Sequence, residues 1–427
     1  MNIAIIGAGI SGLTAAHYLN SGHTITLYEM AEKIGGHTAT VDVEYGGDQY
    51  AIDTGFIVFN DWTYPSFIEL LDELKVESQA TEMSFSVRSD ATGLEYGGNN
   101  LNTLFAQRKN ILRPSFYKMI KDILRFNREA VSDLEGHAIS PSTTLGEYLQ
   151  ANNYGEGFIY QYLVPMGCAI WSASTQSMLD FPLVFFIRFF KNHGLLSVND
   201  RPQWRVIKGG SRSYLKPLID NFGGSLVVNS KISEVGRDNG LVHLTMSNGN
   251  VETFDHLVFA CHSDQALALL GDVSQAEKIA LTCIPYRENE VVLHADTRIL
   301  PANKLTWSSW NYWVKDRIQE RPILTYNMNI LQQLNSDKTF CVSLNATKYI
   351  DPEKIIERFN YSHPVFSLEG ISSAASIQKF NGTDNTWYAG AYLGNGFHED
   401  GVVSGRRVAE AINAFGLDTP KKCPASE

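Results

Sequence analysis

The fold of this chain is decided near its amino terminus by the stretch Asn2-Ile3-Ala4-Ile5-Ile6-Gly7-Ala8-Gly9-Ile10-Ser11-Gly12. An apolar run predicts a buried strand, three glycines follow in the spacing G-x-G-x-x-G, and residues 13–20 predict a helix. The first glycine allows a tight turn, the second lets a pyrophosphate approach the backbone, and the third lets helix and strand pack closely. We therefore predict a dinucleotide-binding role for Gly7, Gly9, Ser11 and Gly12.

An acidic residue at the end of the next strand supports this assignment. Gly22 interrupts the helix, and residues 23–28 predict a second strand that ends at Glu29. A carboxylate at that place can accept hydrogen bonds from an adenosine ribose. The pyrophosphate would then lie at the amino end of the helix, where free N–H groups and the helix dipole favour an anion.

A second pair of glycines, Gly35 and Gly36, follows soon after the acid, and residues 52–56 read Ile-Asp-Thr-Gly-Phe. Together these segments resemble the FAD-binding flavin amine oxidase superfamily, which includes monoamine and polyamine oxidases, phytoene desaturases and protoporphyrinogen oxidase. An arginine usually follows the glycine pair there, whereas this chain has a histidine, which can donate to the same phosphate but is not always charged. The resemblance implies FAD contacts from Gly35, Gly36, His37, Thr38, Gly55, Phe56 and Ile57.

Two later segments extend the resemblance over the whole chain. Residues 204–215 are similar to the part that leads back into the FAD domain, and Val228 matches a backbone contact with adenine. Residues 386–392 predict a strand ending in glycine, and residues 402–415 a helix. They resemble the C-terminal FAD module of the superfamily, which implies that the amino end of this helix faces the flavin ring. The acid that commonly follows the glycine is Ala391 here, so the ribityl contact stays unassigned. The remaining FAD contacts implied by the resemblance are Gly390, Asp400, Gly401 and Val402.

The predicted fold class is α/β, with a Rossmann-type FAD-binding domain and an inserted α+β substrate domain. The FAD-binding domain would be discontinuous and consist of residues 1–60, 204–270 and 380–416. The substrate domain would comprise 61–203 and 271–379, and 417–427 would form a loose tail. Helical patterns occur at 66–74 and 115–134, and strand patterns at 290–294, 323–328 and 339–344.

Composition excludes several functional classes. The net charge of −11 argues against a nucleic-acid partner. The five cysteines are scattered, which predicts no metal site and a reducing, cytoplasmic location. No signal peptide is expected before the first strand, and no apolar run reaches the roughly twenty residues that span a bilayer. Since no cysteine lies between Cys341 and Cys423, FAD is predicted to bind noncovalently.

The segment expected to lie near the reactive flavin atom lacks a common catalytic residue. Many amine-oxidising relatives place a lysine there, and this chain has none between Lys278 and Lys304. Residues 285–296 and 307–312 instead resemble a bacterial branch described as predicted NAD/FAD-binding amine oxidoreductases. Relatives in that branch are associated with cyclopropane and furan fatty acid synthesis. The resemblance therefore implies a lipid acyl chain as a candidate substrate.

Four residues are candidates for catalysis, and each has a structural alternative. His294 lies on a predicted strand, where a hydrogen-bonded structural histidine is the alternative. Asn311 and Tyr312 lie among tryptophans and could position a polar head group or a water, or simply fill core. His398 precedes the last helix among the presumed flavin contacts, which suggests a polar contact near the ring.

Two further segments suggest contact with lipid. Residues 108–128 carry seven basic side chains interleaved with apolar ones, which predicts either a helix on anionic headgroups or a solvated face above the core. Residues 181–190 are apolar on nearly every side, which fits a buried helix or the wall of a channel. A peripheral contact with the inner face of the membrane is the corresponding hypothesis. Oligomeric state stays open.

Three functions remain from the sequence. The first is an FAD-dependent oxidoreductase that removes hydride from a hydrophobic substrate, with desaturation of a phospholipid acyl chain as one form. The second is a flavin amine oxidase acting on a small amine. The third is a flavin-dependent isomerase or binding protein without net redox turnover.

Overall fold

In the computed structural model, which describes residues 1–418, the first strand lies at the centre of a five-stranded parallel sheet. Ile3 pairs with Ile25 on one side and with His256 on the other. Its neighbours along the strand alternate between two core clusters on opposite faces of the sheet, as the pleat requires. The strands lie in the order Ser225–Val227, Thr24–Tyr28, Asn2–Ile6, His256–Phe259 and Thr386–Tyr388.

Different layers cover the two faces of this sheet. One face carries helices whose apolar residues share a core cluster with Ile3: Ile10–Leu19, Pro65–Glu73, Leu215–Asp220 and His398–Asp418. On the other face lie the antiparallel strands Ile232–Asp238, Leu241–Met246 and Val251–Phe254. Three helices complete that layer: Ser263–Leu269, Gln275–Thr282 and Leu368–Phe380.

A second, mixed sheet of seven strands forms the other half of the molecule. Its order is Ile355–Pro364, Tyr286–His294, Cys341–Leu344, Leu324–Asn327, Trp310–Val314, Phe85–Ser89 and Leu94–Gly97. One face packs on helices in the largest core cluster of the described residues. These helices are Pro114–Glu135, Leu145–Ala151, Glu156–Phe158, Val164–Trp171, Thr175–Leu179 and Leu183–Asn192, with a π-helical turn at Ile159–Leu163.

Short elements join the two halves. Thr40–Tyr45 and Asp48–Asp53 form a hairpin, and Phe59–Asn60 and Ser78–Ala80 both pair with Trp204–Ile207. The remaining short helices are Leu101–Leu104 and Met328–Leu331, and 3₁₀ turns lie at Arg108–Leu112, Ser211–Tyr214, Thr297–Ile299, Lys304–Thr306, Thr347–Tyr349, Pro352–Lys354, Thr383–Asn385 and Ala391–Leu393.

The predicted fold class is confirmed, and the helices and strands expected at 66–74, 115–134 and 290–294 are present. The domain division stays a prediction. Three helices assigned to the substrate side, Pro65–Glu73, Gln275–Thr282 and Leu368–Phe380, pack on the parallel sheet because their apolar faces complete its two cores. The loose tail proposed for 417–427 lies outside the described residues, except that 417 and 418 continue the last helix.

Within residues 1–418, every helix is too short or too polar to cross a bilayer.

Candidate functional site

The carboxyl ends of the parallel strands bring the predicted cofactor residues to one edge of the sheet. Gly7 follows the central strand, Glu29 follows the strand beside it, and Val228 follows the edge strand beyond that. On the other side, His262 follows His256–Phe259 within a few residues, and Gly390 follows the last strand. Ligands of open parallel sheets bind at this edge, so its residues form the candidate site.

In the glycine turn, two glycines are required by the packing of the fold, whereas Gly9 leaves space that a ligand can occupy. A Cβ at Gly7 would lie 2.8 Å from the carbonyl carbon of Ala260, and one at Gly12 would lie 1.9 Å from the Gly7 carbonyl oxygen. At Gly9 no atom lies within 4 Å of the added Cβ. Gly9 also precedes a helix that has no side-chain cap, so the first N–H groups of that helix are available to an anion.

The acidic residue and the second glycine pair pack against this turn. Glu29 accepts hydrogen bonds through Oε2 from the Ala8 backbone N–H and through Oε1 from the Ala31 backbone N–H, each at 2.9 Å. The Gly35 N–H donates to the Ala8 carbonyl oxygen at 2.8 Å, and a Cβ at Gly36 would lie 3.3 Å from the Gly9 Cα. Each carboxylate oxygen of Glu29 keeps a further lone pair for a ribose hydroxyl.

His37 lies at the centre of a histidine cluster. Its ring centroid is 5.3 Å from that of His363, 6.2 Å from that of His262 and 5.2 Å from that of Tyr361. Burial, with the neighbouring imidazoles, lowers the pKa of His37 well below its usual value. His37 is therefore a neutral donor or acceptor and does not supply the positive charge of the arginine that the family usually has here.

Three features of this edge fit a bound dinucleotide. Gly9 faces open space, the helix behind it is uncapped, and Nε2 of His37 is buried with no hydrogen-bond partner among residues 1–418. Buried polar atoms are rarely left unpaired in proteins. An anionic ligand at the Gly9 turn would satisfy the free donors, so the site fits the pyrophosphate of FAD.

The Asp-x-Gly segment positions the neighbouring contacts. Asp53 Oδ1 accepts hydrogen bonds from the Thr40 hydroxyl at 2.6 Å and from the Ser211 N–H at 2.8 Å, and burial raises its pKa to about 6. A Cβ at Gly55 would lie 2.2 Å from the His37 carbonyl oxygen, which shows how closely the two segments approach. Ile57 belongs to the core beneath the seven-stranded sheet. The segment therefore joins the two halves at the site.

His398 is held in a buried polar group beside Phe56. Its Nε2 lies 3.1 Å from the Thr38 hydroxyl oxygen and 3.0 Å from the Tyr214 hydroxyl oxygen, and those two hydroxyls also bond to each other. The Phe56 ring stacks on the imidazole with centroids 3.5 Å apart. Burial lowers the pKa of His398 to about 3, so the ring is neutral near pH 7. The structure thus joins His398 to two predicted FAD contacts, Thr38 and Phe56.

The start of the last helix packs tightly on the first helix. A Cβ at Gly401 would lie 2.6 Å from Cγ2 of Ile10, and Val402 is fully buried. Asp400 accepts a hydrogen bond from the Phe397 N–H at 2.9 Å, and desolvation raises its pKa to about 6. Gly390 donates its N–H to the Ser404 hydroxyl at 2.9 Å.

Glu399, the other acid of this turn, accepts the backbone N–H groups of Ser66 and Phe67 at 3.0 and 2.9 Å. It thereby caps the helix Pro65–Glu73, whose first N–H groups need acceptors. Asp400 likewise accepts hydrogen bonds, from the Phe397 N–H and the Asn395 side-chain amide, so its contact with FAD stays a prediction.

Three of the four catalytic candidates lie in structural networks. His294 bonds to the Ser343 hydroxyl through Nε2 at 2.8 Å and accepts the Asp296 N–H at Nδ1, so neither ring nitrogen is free. It also lies at the far end of its strand, eight residues from Tyr286 and so about 26 Å from the cofactor edge. In the structure both ring nitrogens of His294 therefore serve the sheet, and its catalytic role stays a prediction.

Asn311 and Tyr312 also stabilise the seven-stranded sheet. The Asn311 side chain bonds to the Ser86 hydroxyl, to both backbone groups of Ser308 and to the Thr325 carbonyl. Tyr312 is buried against Cys168, and the loss of hydration raises its pKa well above the usual value. Neither side chain presents a free polar atom to a substrate, so the proposed role in holding a head group is not supported.

A narrow aromatic cavity lies beside the histidine cluster. Arg287 and His363 of the seven-stranded sheet meet Trp171, Phe181 and Phe366 there, and the enclosed volume is about 10 Å³, with the rest of the space open to solvent. The Phe366 ring also stacks on Phe185 of the apolar helix Leu183–Asn192. The apolar segment 181–190 is therefore partly core and partly cavity wall, which combines the two interpretations of its sequence.

Arg287 is an unpaired cation in this cavity. Its Nη2 lies 3.4 Å from the Ser177 hydroxyl oxygen, and Nη1 is buried with no partner. No carboxylate among residues 1–418 forms an ion pair with it, and no acidic residue lines the cavity. The cavity therefore has an apolar wall and one available positive charge.

Sequence reasoning missed several of these residues. His262 could have been found, because it follows a strand whose carboxyl end lies at the cofactor edge. Tyr214 stood within a motif that leads into the FAD domain, but nothing in its spacing indicated the bond to His398. Arg287 and His363 carry no local signal, since 76 residues separate them along the chain and only the strand pairing brings them opposite each other.

A family model for flavin containing amine oxidoreductases matches residues 10–295 of the chain. Over 88 residues the chain is 39% identical to a 15-cis-phytoene desaturase of Synechococcus elongatus, a match that covers 20% of this chain and 18% of that relative.

Solved structures of similar fold span nearly the whole chain. The cyclohexylamine oxidase of Brevibacterium oxydans has a TM-score of 0.69 at 16% identity, covering 98% of this chain and 99% of that one. A CLA-producing fatty acid isomerase from P. acnes has a TM-score of 0.68 at 16% identity, covering 97% and 98%. At this identity the likeness concerns the fold alone.

Proposed function

This chain belongs to the family of flavin-containing amine oxidoreductases, FAD-dependent oxidoreductases, and we propose that it removes hydride from a hydrophobic substrate with an anionic end. The predicted superfamily and the FAD cofactor are confirmed. The narrower branch associated with cyclopropane and furan fatty acid synthesis stays a prediction. A single observation carries the proposal: among residues 1–418, the cavity beside the cofactor edge has aromatic walls, one unpaired arginine and no acid.

The residues that would hold FAD are those of the carboxyl edge. Gly9 and the first turn of the helix Ile10–Leu19 would take the pyrophosphate, and Glu29 the ribose. His37 would donate a single hydrogen bond as a neutral imidazole. When bound, FAD supplies the hydride acceptor for the reaction. The protein has to position the substrate and exclude water.

The aromatic walls favour an acyl chain. Trp171, Phe181 and Phe366 are packed ring against ring, with centroids of the first two 4.6 Å apart. Their one polar group is the buried Nε1–H of Trp171, which has no partner in residues 1–418 and can donate but not accept a hydrogen bond. Burial of apolar surface contributes about 25 cal/mol per Å², so a long chain gains most from such a wall. The acyl chain of a phospholipid or of a free fatty acid meets this requirement.

Arg287 favours an anionic group on that chain. Its buried Nη1 has no partner, and a carboxylate or phosphate would supply the missing acceptor in a charge-assisted hydrogen bond. The same cation would repel a protonated amine, and the cavity holds no carboxylate to compensate. With no lysine between Lys278 and Lys304, these features argue against the amine oxidase alternative.

The isomerase alternative uses the same cavity. One structure of similar fold is described as a fatty acid isomerase, so an apolar cavity also suits a reaction in which the substrate is neither oxidised nor reduced overall. Desaturation and isomerisation differ in whether electrons leave the substrate, and flavin reduction in the absence of oxygen distinguishes them.

Binding measurements on the holoenzyme test the substrate class. We expect a long-chain fatty acid to bind more tightly than the alcohol of equal length, because only the acid pairs with Arg287. Arg287→Met should remove that difference, a loss of about 10- to 100-fold for a buried charge-assisted hydrogen bond. Arg358→Met is the matched control, since Arg358 lies on the adjacent strand and is exposed.

The free fatty acid and the phospholipid are titrated separately into the holoenzyme. Tight binding of the acid alone places the carboxylate at Arg287, and tight binding of the phospholipid alone places the phosphate there. Equal affinity for acid, alcohol and alkylamine in both variants would contradict the proposal.

A further inference from the structure

One surface of the helical half combines exposed apolar residues with basic ones. Leu112 is 85% exposed and Leu101 is 75% exposed, so most of the surface of each side chain is in contact with solvent. Ile111, Tyr117 and Leu124 are exposed by 47, 47 and 53%. Contiguous exposed apolar patches on proteins usually mark an interaction site. We call docking face the surface formed by Leu101, Arg108, Lys109, Ile111, Leu112, Tyr117, Lys118, Lys121, Leu124 and Arg128.

Helical geometry places part of this face on a single stripe. In the helix Pro114–Glu135, Tyr117, Lys121, Leu124 and Arg128 are spaced by four, three and four residues. At 3.6 residues per turn they share one side of the helix. The opposite side, with Phe116, Met119 and Phe126, is buried in the core. The stripe therefore alternates apolar and basic residues on a side that no described element covers.

The preceding turn is continuous with the stripe. Phe105 packs on Tyr117 with ring centroids 5.9 Å apart, and its ring also meets Phe116. Arg108 bonds to the carbonyl oxygen of Phe105, which holds the 3₁₀ turn Arg108–Leu112 beside the helix. Leu112 and Ile111 therefore project from the same surface as Tyr117.

The charge of this region is opposite to that of the chain. Residues 101–128 contain seven basic residues and one acid, Asp122, which is buried, whereas the whole chain carries −11. Lys109, Lys118 and Lys121 form no ion pair with any carboxylate in the described part of the chain. A strongly acidic protein that concentrates unpaired lysines on one face attracts an anionic surface there.

Arg125, although basic, belongs to the interior. Its guanidinium lies 3.9 Å from the Tyr154 ring centroid, and Nη2 lies 3.4 Å from Oδ1 of Asp122. It also donates to the Asn152 carbonyl oxygen. Arg125 therefore stabilises the helix and is not part of the docking face.

We propose that the docking face binds the surface of an anionic lipid bilayer, with the lysines at the headgroups and the exposed leucines inserted between them. The combination of free cations and protruding apolar side chains is what such a surface recognises. The face also lies one layer from the cavity, because Phe126 on its helix packs on Phe186 of the apolar helix. The proposal does not depend on the identity of the substrate.

Co-sedimentation of the holoenzyme with vesicles tests the charge component. We expect binding to vesicles of phosphatidylcholine with phosphatidylglycerol, weak binding to phosphatidylcholine alone, and release on adding salt. Lys118→Gln together with Lys121→Gln should lower the partition coefficient by about 30-fold, since each lysine near an anionic membrane contributes about five-fold. The control pair is Lys278→Gln with Ile279→Ser, an exposed cation and an exposed apolar residue on a helix of the other half.

Leu112→Ser with Leu124→Ser tests the apolar component. This variant should lower the partition coefficient by at least about ten-fold, a loss that persists at high salt because burial of leucine is not screened. Flavin content should be unchanged, which shows that the variant is folded.

Three results would overturn the proposal. The first is no sedimentation with anionic vesicles. The second is binding that follows the lysines but ignores Leu112 and Leu124, which assigns the face to a soluble polyanion. The third is a dimer in sedimentation velocity that Leu112→Ser dissociates while vesicles are not bound, which assigns the face to a second copy of the chain.

Discussion

The cofactor edge and the aromatic cavity lie next to each other but are built in different ways. The edge is formed by backbone: the positions that matter at Gly9 and at the first turn of the helix Ile10–Leu19 are N–H groups and open space. The cavity is formed by side chains that come from distant segments, such as Trp171, Arg287 and Phe366. One region is therefore specified by local sequence and the other by tertiary packing.

The difference also shows in how each region satisfies its polar groups. At the edge, the carboxylates of Glu29 and Asp53 are fixed by backbone or hydroxyl donors, and the free donors point to where an anion would lie. In the cavity one guanidinium is left without an acceptor among aromatic rings. The edge suits one invariant cofactor, whereas the cavity can change its substrate through a few side chains.

The largest effect is expected from a substitution that disrupts the cofactor edge and leaves the aromatic cavity unchanged. Gly9→Val should weaken FAD binding by more than about 3 kcal/mol, because the side chain fills the space that a pyrophosphate and its hydrogen bonds need. The protein itself should fold, since no atom lies within 4 Å of the added Cβ. Gly22→Val is the control, because Gly22 also faces open space with an ordinary φ. The measurement is the flavin released per protein by acid precipitation, and full flavin content in Gly9→Val would place the dinucleotide elsewhere.

A smaller effect on the same region comes from the acid that ends the second strand. Glu29→Ala should weaken FAD binding by about 1.5–3 kcal/mol through the loss of charge-assisted hydrogen bonds. Glu32→Ala controls for charge, since Glu32 is exposed three residues further on. The dissociation constant of FAD from the reconstituted apoprotein is the readout. An unchanged constant in Glu29→Ala would mean that the carboxylate serves only Ala8 and Ala31.

The pH dependence of the unfolding free energy tests His294, which lies outside both regions. The folded-state pKa of His294 is lowered to about 4 by burial, against an ordinary value of 6.5. Stability from this group is therefore present above pH 6.5 and is lost as the pH falls towards 4, because only the unfolded chain then binds the proton. Between pH 7 and pH 5 it should cost about 2 kcal/mol of unfolding free energy.

His294→Gln should lose about 2 kcal/mol less than the native chain over the same interval, with unchanged flavin content. Denaturant unfolding at the two pH values gives both numbers. An identical pH dependence in the two proteins would show that His294 is not buried as a neutral ring.

The cofactor edge could be predicted from the sequence more fully than the aromatic cavity, because only the edge is specified by local sequence. The glycine turn, Glu29 and the last helix carry their geometry in local spacing, so their place at the cofactor edge could be predicted. The catalytic roles of His294, Asn311 and Tyr312 stay predictions, because polar residues on strands look alike in sequence whether they serve a sheet or a substrate. In the structure, hydrogen bonds within the sheet occupy the polar atoms of His294 and Asn311.

The sequence suggested one wall of the cavity, residues 181–190, but the full lining could not be predicted for a physical reason. Arg287 and Phe181 meet only after the seven-stranded sheet has paired and the helices Val164–Trp171 and Leu183–Asn192 have packed on it. Phe181 lies in the apolar segment 181–190 and Arg287 in the segment 285–296, but neither segment indicates that the two residues meet. What distinguishes Arg287 is its buried Nη1, which has no hydrogen-bond partner in residues 1–418, and this follows from the tertiary packing alone.

The central claim is that the cavity receives an acyl chain, and anaerobic mixing of the holoenzyme with two substrate sets tests it most directly. We expect the flavin absorbance to fall with long-chain fatty acids or phospholipids and to persist with cyclohexylamine and putrescine. The reduction rate should drop in Arg287→Met and stay unchanged in Arg358→Met. Rapid reduction by the amines, with no response to any acyl substrate, would contradict the account and make the protein an amine oxidase.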